Sequence, residues 1–169
     1  MTNIRLISPS KALEPQILAM KQEFYAAGEH MIHGSNRLDN DRIPFDIWLK
    51  ILEDNAKETA EPMTDVYLGQ NKAGEIVGIL SFRHADIGFF KDSGHIGYSV
   101  RPSQRRKGYA KAMLTSTLDL ARAAGLCEVR VVCQASNEGS RRTILACGGT
   151  LSRTFLDGDT PEEAYTIQL

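Results

Sequence analysis

A short basic turn near the middle of the chain has the residue types that bind phosphate. Residues 100–111 read VRPSQRRKGYAK and hold five cationic side chains, one glycine and no acid, in a chain of formal net charge −1. Arginine and lysine donate charge-assisted hydrogen bonds to phosphate oxygens. Gly108 has no side chain to keep those oxygens away from the backbone N–H groups. The turn predicts a pyrophosphate ligand; the alternative is a solvated basic turn in which the glycine helps the chain reverse.

Histidines and cysteines give no comparable cluster. His30 and His33 form one H-x-x-H pair, without further ligands at the spacing that a metal site needs. The three cysteines, Cys127, Cys133 and Cys147, contain no C-x-x-C pair. We therefore predict no metal, and we interpret the cysteines as buried thiols in a reducing compartment.

The elements around the basic turn predict a βαβ unit. Residues 94–100 have the character of a strand and residues 128–133 that of a β-branched strand. The helix between them ends at Gly125 and carries an apolar stripe made of Ala110, Met113, Leu114, Thr117, Leu118 and Ala121. The two strands are predicted to be parallel, with a right-handed crossover. The basic turn then lies at the helix N-terminus, where unpaired N–H groups and the positive end of the helix dipole converge.

The other elements complete a mixed α/β domain around one sheet. A turn signal at residues 71–74 joins two of the strands as a hairpin. Further strands are predicted at residues 4–8, 65–70, 75–84, about 150–155 and about 164–169. Further helices are predicted at residues 13–28, from Pro44 to Leu52, and at about 138–147. The chain is predicted to be a single domain, residues 1–169.

Composition and charge exclude several classes of protein. No apolar run approaches the ~18 residues of a membrane span, and the first residues do not resemble a signal peptide, so we predict a cytoplasmic protein. The near-neutral net charge, and the lack of aromatic residues within the turn beyond Tyr109, argue against a nucleic-acid binder. The absence of a G-x-x-x-x-G-K-[S/T] segment excludes a P-loop nucleotide binder.

Three segments together resemble the GNAT superfamily of N-acetyltransferases. Residues 105–110, RRKGYA, match its [Q/R]-x-x-G-x-[G/A] signature, and residues 100–102, VRP, match the V-x-P that ends its fourth strand. Residues 137–140, NEGS, followed by Gly148-Gly149, are similar to the N-x-x-[A/S] helix start of the family. The resemblance implies the GNAT fold: a mixed central sheet of about six to seven strands, flanking helices and a splayed parallel strand pair that binds CoA.

The resemblance also implies which residues bind acetyl-CoA. In the family, backbone amides of the basic loop hold the pyrophosphate, and the pantetheine arm pairs with the fourth strand. The Asn of the N-x-x-[A/S] segment contacts that arm. Carried over, the cofactor-binding residues are Tyr98, Ser99, Val100, Arg105, Arg106, Lys107, Gly108, Tyr109, Ala110 and Asn137. Arg141 and Arg142 are interpreted as a solvated helix face, and contact with the 3′-phosphate of CoA is the alternative.

The resemblance points to His95 as the catalytic base, because related enzymes place a Glu or His on this strand. The alternative is a packing or hydrogen-bonding histidine on the other sheet face. His84 is a weaker candidate, and His30 and His33 are predicted substrate contacts. The backbone N–H near Ser99 or Val100 would polarise the thioester carbonyl.

The chain departs from the family at the position of the general acid. Many relatives carry a tyrosine seven residues after the Asn, and this position is Ile144 here. Tyr165 and Cys133 are conceivable donors on adjacent strands, but the sequence does not select between them, and water or the departing ammonium is a further alternative.

These features predict an N-acetyltransferase that moves an acetyl group from acetyl-CoA to a primary amine by direct attack in a ternary complex. The acceptor would be a small-molecule amine, a peptide N-terminus or a lysine, and the protein a monomer or homodimer. The alternatives are transfer of another acyl group from CoA and a non-catalytic acyl-CoA-binding sensor.

Overall fold

A computed structural model describes residues 2–85 and 93–169. Its elements follow the predicted order, and most ends differ from the prediction by one or two residues. The strands are β1 Ile4–Ile7, β2 Thr64–Asn71, β3 Ile76–Arg83, β4 Ile96–Val100, β5 Glu128–Gln134, β6 Thr150–Asp157 and β7 Thr160–Gln168. The helices are α1 Glu14–Ala26, α2 Phe45–Asn55, α3 Tyr109–Ala123 and α4 Glu138–Ala146. Residues 86–92, between β3 and β4, lie outside the described residues.

The seven strands form one mixed sheet in the order β1-β2-β3-β4-β5-β7-β6. Five of the six neighbouring pairs are antiparallel, and β4 and β5 are the parallel pair that the βαβ unit predicts. The predicted GNAT fold class is therefore confirmed. Two predicted ends need correction: Pro44 is the N-cap of α2, not part of its first turn, and β7 begins four residues before Ala164.

Helices cover both faces of the sheet and make two clusters of buried side chains. α1 and α2 pack Ile17, Met20, Phe24 and Trp48 against one face of β2 and β3. The apolar stripe of α3 is buried against the opposite face, as its spacing predicts; its buried residues are Met113, Leu114, Thr117, Leu118 and Ala121. Because β3 is covered on both faces, seven of its eight residues are buried.

The parallel pair is joined at one end only. Ile96 and Val131 are the single register pair between β4 and β5. Next to it, the N–H of His95 donates a hydrogen bond of 2.8 Å to the carbonyl of Arg130. From Gly97 to Val100, β4 pairs with β3 and not with β5. The sheet therefore opens as a wedge on the C-terminal side of Ile96.

The segment after α1, residues 29–35, packs its backbone directly on β4. Gly34 has a φ of 79°, and a Cβ placed on it would lie 2.3 Å from Gly97 O and 2.9 Å from Leu80 Cα. Trp48 holds the segment in place, because its Nε1 donates a hydrogen bond of 2.9 Å to Ser35 O. Only glycine permits this close approach of two backbones.

Replacement of Gly34 by alanine is expected to lower the free energy of unfolding by about 3 kcal/mol, because the methyl group overlaps backbone atoms that cannot rotate away. Gly74→Ala is the matched control, since Gly74 has a φ of 82° but no atom within 4 Å of its Cβ position. We expect the control to cost about 1–2 kcal/mol through backbone strain alone. Urea unfolding of both variants measures the difference; equal losses would show that the contact with β4 is not tight.

The described part of the chain contains neither a membrane-spanning helix nor a metal-binding group of side chains. None of its helices is long and apolar enough to cross a membrane. Within residues 2–85 and 93–169, no group of three histidine, cysteine or acidic side chains is arranged to hold a metal ion.

Candidate active site

The divergence of β4 and β5 leaves a gap in the sheet with a pocket on either side. The helix-side pocket, of about 700 Å³, is lined by the basic turn and the first turns of α3 and α4. The strand-side pocket, of about 500 Å³, is lined by β3, β4, β5 and the β6–β7 hairpin. Four residues line both pockets: His33, Tyr98, Asn137 and Ser140. Two molecules that enter from opposite sides can therefore meet at this shared wall.

Gly108 lies where the basic turn meets α3, and it lines the helix-side pocket. This residue is the N-cap of α3 and has a φ of 82°, in the left-handed region that glycine adopts without strain. Thr2 Oγ1 donates a hydrogen bond of 2.8 Å to Lys107 O and so fastens the N-terminal segment to the turn. The first N–H groups of α3 have no partner within the helix, and Gly108, Tyr109 and Ala110 line the pocket.

Two of the five cations in the turn are already paired with acids of α1 and the segment after it. Arg105 makes a bidentate ion pair with Glu29, with both N–O distances at 2.7 Å, and Arg101 pairs with Glu23 at 2.7 Å. The hydrogen bonds from Arg105 hold the pKa of Glu29 below its ordinary value. The sequence-based count of five cations therefore overstated the charge that faces the pocket.

The remaining cations are Arg106, Lys107 and Lys111. Lys107 Nζ donates to Ser103 O and to Gln104 Oε1 at 3.1 and 3.0 Å, so it stiffens the turn without losing its charge. Arg106 and Lys111 line the helix-side pocket. No described acid pairs with either of them. The pocket is thus positively charged, and the pairing of Arg105 shows that the turn is tied to the segment after α1.

The open edge of β4 forms one side of the wedge. Tyr98, Ser99 and Val100 all line the helix-side pocket. Ser99 Oγ donates a hydrogen bond of 2.9 Å to His33 O, which ties β4 to the segment after α1. Arg105 Nε donates to Val100 O at 3.1 Å. Because β5 does not pair with β4 here, this edge can pair with an extended, amide-bearing ligand.

Asn137 begins α4 on the other side of the wedge. Its Oδ1 accepts a hydrogen bond of 3.0 Å from the backbone N–H of Ser140, as expected of an N-cap. Its Nδ2 makes no hydrogen bond to the described residues. Asn137 lines both pockets, so its carboxamide fixes the helix start through oxygen and leaves the nitrogen at the shared wall.

The two arginines that follow in α4 differ in their surroundings. Arg141 is bound to Glu163 of β7, with Nε 2.9 Å from Oε2, and to the carbonyl of Ala135, so it clamps α4 onto the sheet. Arg142 lines the helix-side pocket and pairs with Glu138. The interpretation of both arginines as a solvated helix face is therefore wrong for Arg141, which bonds to Glu163 and to the carbonyl of Ala135.

Ile144, at the family's tyrosine position, is fully buried in the core. The two side chains that the sequence offers as alternative proton donors, Tyr165 and Cys133, differ in their position relative to the pockets. The hydroxyl of Tyr165 donates a hydrogen bond of 2.7 Å to Glu163 Oε2, and Tyr165 does not line either pocket among the described residues. Cys133 lines the strand-side pocket, but burial raises the pKa of its thiol.

A hydroxyl pair that sequence reasoning did not identify lies at the shared wall. The phenol oxygen of Tyr98 is 2.9 Å from Ser140 Oγ. Burial raises the pKa of Tyr98 to about 12, so the phenol stays protonated at neutral pH. The sequence predicted Tyr98 as a cofactor-binding residue and placed Ser140 at the end of the NEGS motif, but no local pattern indicated that the two hydroxyls meet.

His95, the predicted base, is buried beside the closed end of the wedge. Its Nδ1 accepts a hydrogen bond of 2.8 Å from the backbone N–H of Arg130, and its own backbone N–H and C=O bond to β5 and β3. It is not among the described residues that line the two pockets. The structure therefore places His95 where it bridges strands, and its part in the reaction stays a prediction.

The other histidines are separated by the fold. His33 is exposed and lines both pockets. The ring of His30 packs on that of Tyr25, with centroids 5.0 Å apart, outside the described linings. His84 Nε2 lies 2.7 Å from Asp65 Oδ2, also away from the pockets. Of the H-x-x-H pair, only His33 lines the two pockets, and its predicted contact with a substrate stays a prediction.

Two acids of the β6–β7 hairpin line the strand-side pocket, and sequence reasoning missed both. They are Asp157, at the end of β6, and Glu162, near the start of β7. Burial, and then the negative charge of Asp157, raise the pKa of Glu162 above its ordinary value. A carboxylate of raised pKa in a cleft is well suited to accept a proton near neutral pH.

Comparison with known proteins gives the family of the domain. Residues 19–150 match a family model described as "Acetyltransferase (GNAT) domain". None of the curated protein sequences matches the chain.

Three solved structures share the fold over nearly the whole chain. RimJ from Mycobacterium smegmatis, in complex with CoA-disulfide, gives a TM-score of 0.76 at 18% identity over 98% of this chain and 81% of that one. The microcin C7 self-immunity acetyltransferase MccE, in complex with acetyl-CoA and AMP, gives 0.71 at 18% identity over 98% and 92%. A mutant spermidine N-acetyltransferase SpeG from Vibrio cholerae gives 0.67 at 11% identity over 98% and 94%.

Proposed function

Because the chain belongs to the GNAT acetyltransferase family, we propose that it transfers an acetyl group from acetyl-CoA to a primary amine by direct attack in a ternary complex. The observation that carries the proposal is the wedge between β4 and β5. It joins a positively charged pocket at a helix N-terminus to a second pocket that contains carboxylates. One side suits an anionic cofactor and the other a cationic acceptor.

The helix-side pocket is the proposed site of acetyl-CoA. The N–H groups that follow Gly108, with Arg106 and Lys107, would hold the pyrophosphate, since helix N-termini favour anions. The edge of β4 that β5 leaves without a neighbouring strand, residues 98–100, would pair with the amides of the pantetheine arm, and Asn137 Nδ2 would donate to it. The solved structures of RimJ with CoA-disulfide and MccE with acetyl-CoA support a CoA ligand for this fold.

The strand-side pocket is the proposed site of the amine. Asp157 and Glu162 provide two carboxylates for an ammonium group, against the one guanidinium of Arg83 in the described lining, and His33 lies at the wall shared with the cofactor pocket. The acceptor is a small-molecule amine, a peptide N-terminus or a lysine. The spermidine N-acetyltransferase that shares the fold is named for a cationic amine, which agrees with this charge.

Two residues are proposed for the removal of the amine proton. Glu162 lines the acceptor pocket and has a raised pKa, so it can accept a proton directly from the nucleophile. His95 remains the base predicted by resemblance, and from its buried position it would need intervening groups to reach the amine. We favour Glu162 because geometry precedes pKa in the choice of a base.

The proposed function is tested by incubation of the purified protein with acetyl-CoA and a panel of amines, with release of CoA as the readout. We expect release with at least one alkylamine, and a new amide in the mass spectrum of that amine. Propionyl-CoA in the same panel separates acetyl transfer from transfer of a larger acyl group. Tight binding of acetyl-CoA without release from any amine would favour the acyl-CoA-binding sensor instead.

A further inference from the structure

His95 lies at the corner where β4 separates from β5, one residue before the single register pair of the two strands. Its backbone bonds to the strands on both sides. The N–H of His95 donates to Arg130 O at 2.8 Å, and its carbonyl accepts from the N–H of Arg83 at 2.7 Å. The residue therefore joins β3, β4 and β5 at the closed end of the wedge.

The ring of His95 makes a further link, in a place that a backbone carbonyl normally fills. In a parallel ladder, the N–H groups of one strand are bound by carbonyl oxygens of its neighbour. Here the N–H of Arg130 donates to Nδ1 of His95, at 2.8 Å. His95 is only 5% exposed, so water cannot easily take the place of its ring as the acceptor. Loss of the ring would leave the N–H of Arg130 without its partner.

The links made by His95 specify how β4 lies against β5. Ile96 and Val131 are the single register pair, and one pair by itself leaves a strand free to pivot or to slip. The ring of His95 opposes both movements, because Nδ1 meets the N–H of Arg130 only in this register and at this spacing. Gly94 permits the fit, since a Cβ placed on it would lie 2.7 Å from Arg130 O.

The corner at His95 controls the edge of β4 that the proposed function assigns to the cofactor. Residues 97–100 pair with β3 and not with β5, so the direction of this edge depends on the corner before it. A change of angle there would move the edge relative to Asn137 and Ser140 at the shared wall. Binding sites have to be held to within about 0.5 Å of the productive geometry. A residue outside both pockets can therefore control the site.

The bond from Arg130 also fixes the tautomer of His95. A ring nitrogen that accepts a hydrogen bond from a backbone N–H carries no proton, so the proton of the neutral ring is on Nε2. A general base needs a nitrogen lone pair that can reach the substrate. In His95 that lone pair is on Nδ1, directed at the backbone of β5 and bound there. The ring can accept a proton only by giving up its link to Arg130.

We propose that His95 is a positioning residue and not the general base: its ring holds β4 in register with β5 and so sets the gap in which the reaction takes place. The inference rests on the proposed function for the ligands that meet in the gap. The bond itself and the tautomer do not depend on those ligands, so each can be measured without an acceptor amine.

The tautomer is read in the wild-type protein by long-range ¹H–¹⁵N correlation of the histidine rings at neutral pH, with and without acetyl-CoA. The spectrum of His95→Asn, which lacks this ring, assigns the signals of His95. We expect the neutral form with the proton on Nε2 in both states. A ring of His95 that is protonated on Nδ1 would overturn the proposal, because it could not accept the N–H of Arg130.

Amide hydrogen exchange measures the bond from Arg130 directly. Asn and Leu are similar in size and shape, but only Asn offers an oxygen near the place of Nδ1. We expect the amide of Arg130 to exchange at least about tenfold faster in His95→Leu than in the wild type, and His95→Asn to restore protection. The N–H of Arg101, which donates to Val77 O at 2.8 Å, is the control for general loosening of the sheet.

Binding and catalysis then separate a positioning residue from a base. We expect His95→Leu to weaken acetyl-CoA binding by about tenfold and to lower kcat by about 10²-fold, because the edge of β4 is displaced. His95→Asn should return both quantities to within about fivefold of the wild type. A general base would give the opposite pattern: the two variants would lose kcat equally, since neither can accept a proton, and both would bind acetyl-CoA normally.

That opposite pattern would overturn the proposal and make His95 the base. If the wild-type protein does not bind acetyl-CoA, the proposed cofactor site fails, while the tautomer and the exchange of the Arg130 amide still decide the role of His95. If His95→Leu does not fold, the tautomer in the wild type and the kcat of His95→Asn are sufficient: an Nε2–H ring with kcat retained supports the proposal, and an Nδ1–H ring with kcat lost contradicts it.

Discussion

Replacement of Gly108 by alanine is expected to weaken acetyl-CoA binding by about 10²-fold, with little change in secondary structure. The methyl group would project from a residue with a φ of 82°, a conformation that strains any side chain, and it would displace Thr2 Oγ1, which lies 2.8 Å from its position. The strain at the N-cap of α3, together with loss of the hydrogen bond from Thr2 to Lys107 O, misaligns the N–H groups at the start of α3. Loss of one or two charge-assisted hydrogen bonds accounts for an effect of this size.

The matched control is Gly125→Ala, at the other end of the same helix. Gly125 has the same φ of 82°, and no atom lies within 4 Å of its Cβ position. Both variants therefore carry the same backbone strain, but only Gly108 lines the helix-side pocket. Isothermal calorimetry with acetyl-CoA should give a wild-type Kd for Gly125→Ala. Equal affinities of the two variants for acetyl-CoA would show that the basic turn does not bind the phosphates.

Replacement of Glu162 by glutamine is expected to lower kcat by about 10²–10⁴-fold, because the isosteric amide fills the same space but cannot accept a proton. Affinity for acetyl-CoA should be unchanged, since Glu162 lines only the strand-side pocket of the two. His95→Gln is the comparison for the base predicted by resemblance. If Glu162→Gln keeps full kcat while His95→Gln lowers kcat strongly, His95 is the general base and Glu162 is not.

The pH profile gives an independent check on the same assignment. A base must be deprotonated to act, so kcat should fall as the pH drops through the raised pKa of Glu162. Burial is the main cause of that raised pKa, and the charge of Asp157 is the second. Asp157→Asn removes the second cause and should move the acidic limb to lower pH. A limb that stays in place would show that another group controls it.

The sheet and the helix start at the basic turn were predictable because they depend on local patterns. The spacing of apolar residues in α3 determines which face is buried, and a helical crossover between two neighbouring strands places those strands parallel. The basic turn needed only Gly108 and a helix start next to it. These features are set by residues close in sequence, whose geometry repeats wherever the same pattern occurs.

The charge of the turn and the identity of the wall residues depended on contacts between distant segments. Arg105 is neutralised by Glu29, which is 76 residues away, and no local pattern shows this pairing. The hydroxyl pair joins β4 to α4 over 42 residues. Alternation along β4 left the orientation of His95 unsettled, and the structure places its ring against the backbone of β5.

The sequence by itself determined the family, the order of the elements and the helix start that suits a phosphate. Only the tertiary structure decided which side chains meet at the gap between β4 and β5: Tyr98 with Ser140 at the shared wall, and Glu162 with Asp157 in the strand-side pocket. The physical reason is that hydrogen bonds along the chain and apolar periodicity act over a few residues, whereas a site assembled across a wedge depends on how whole strands and helices pack.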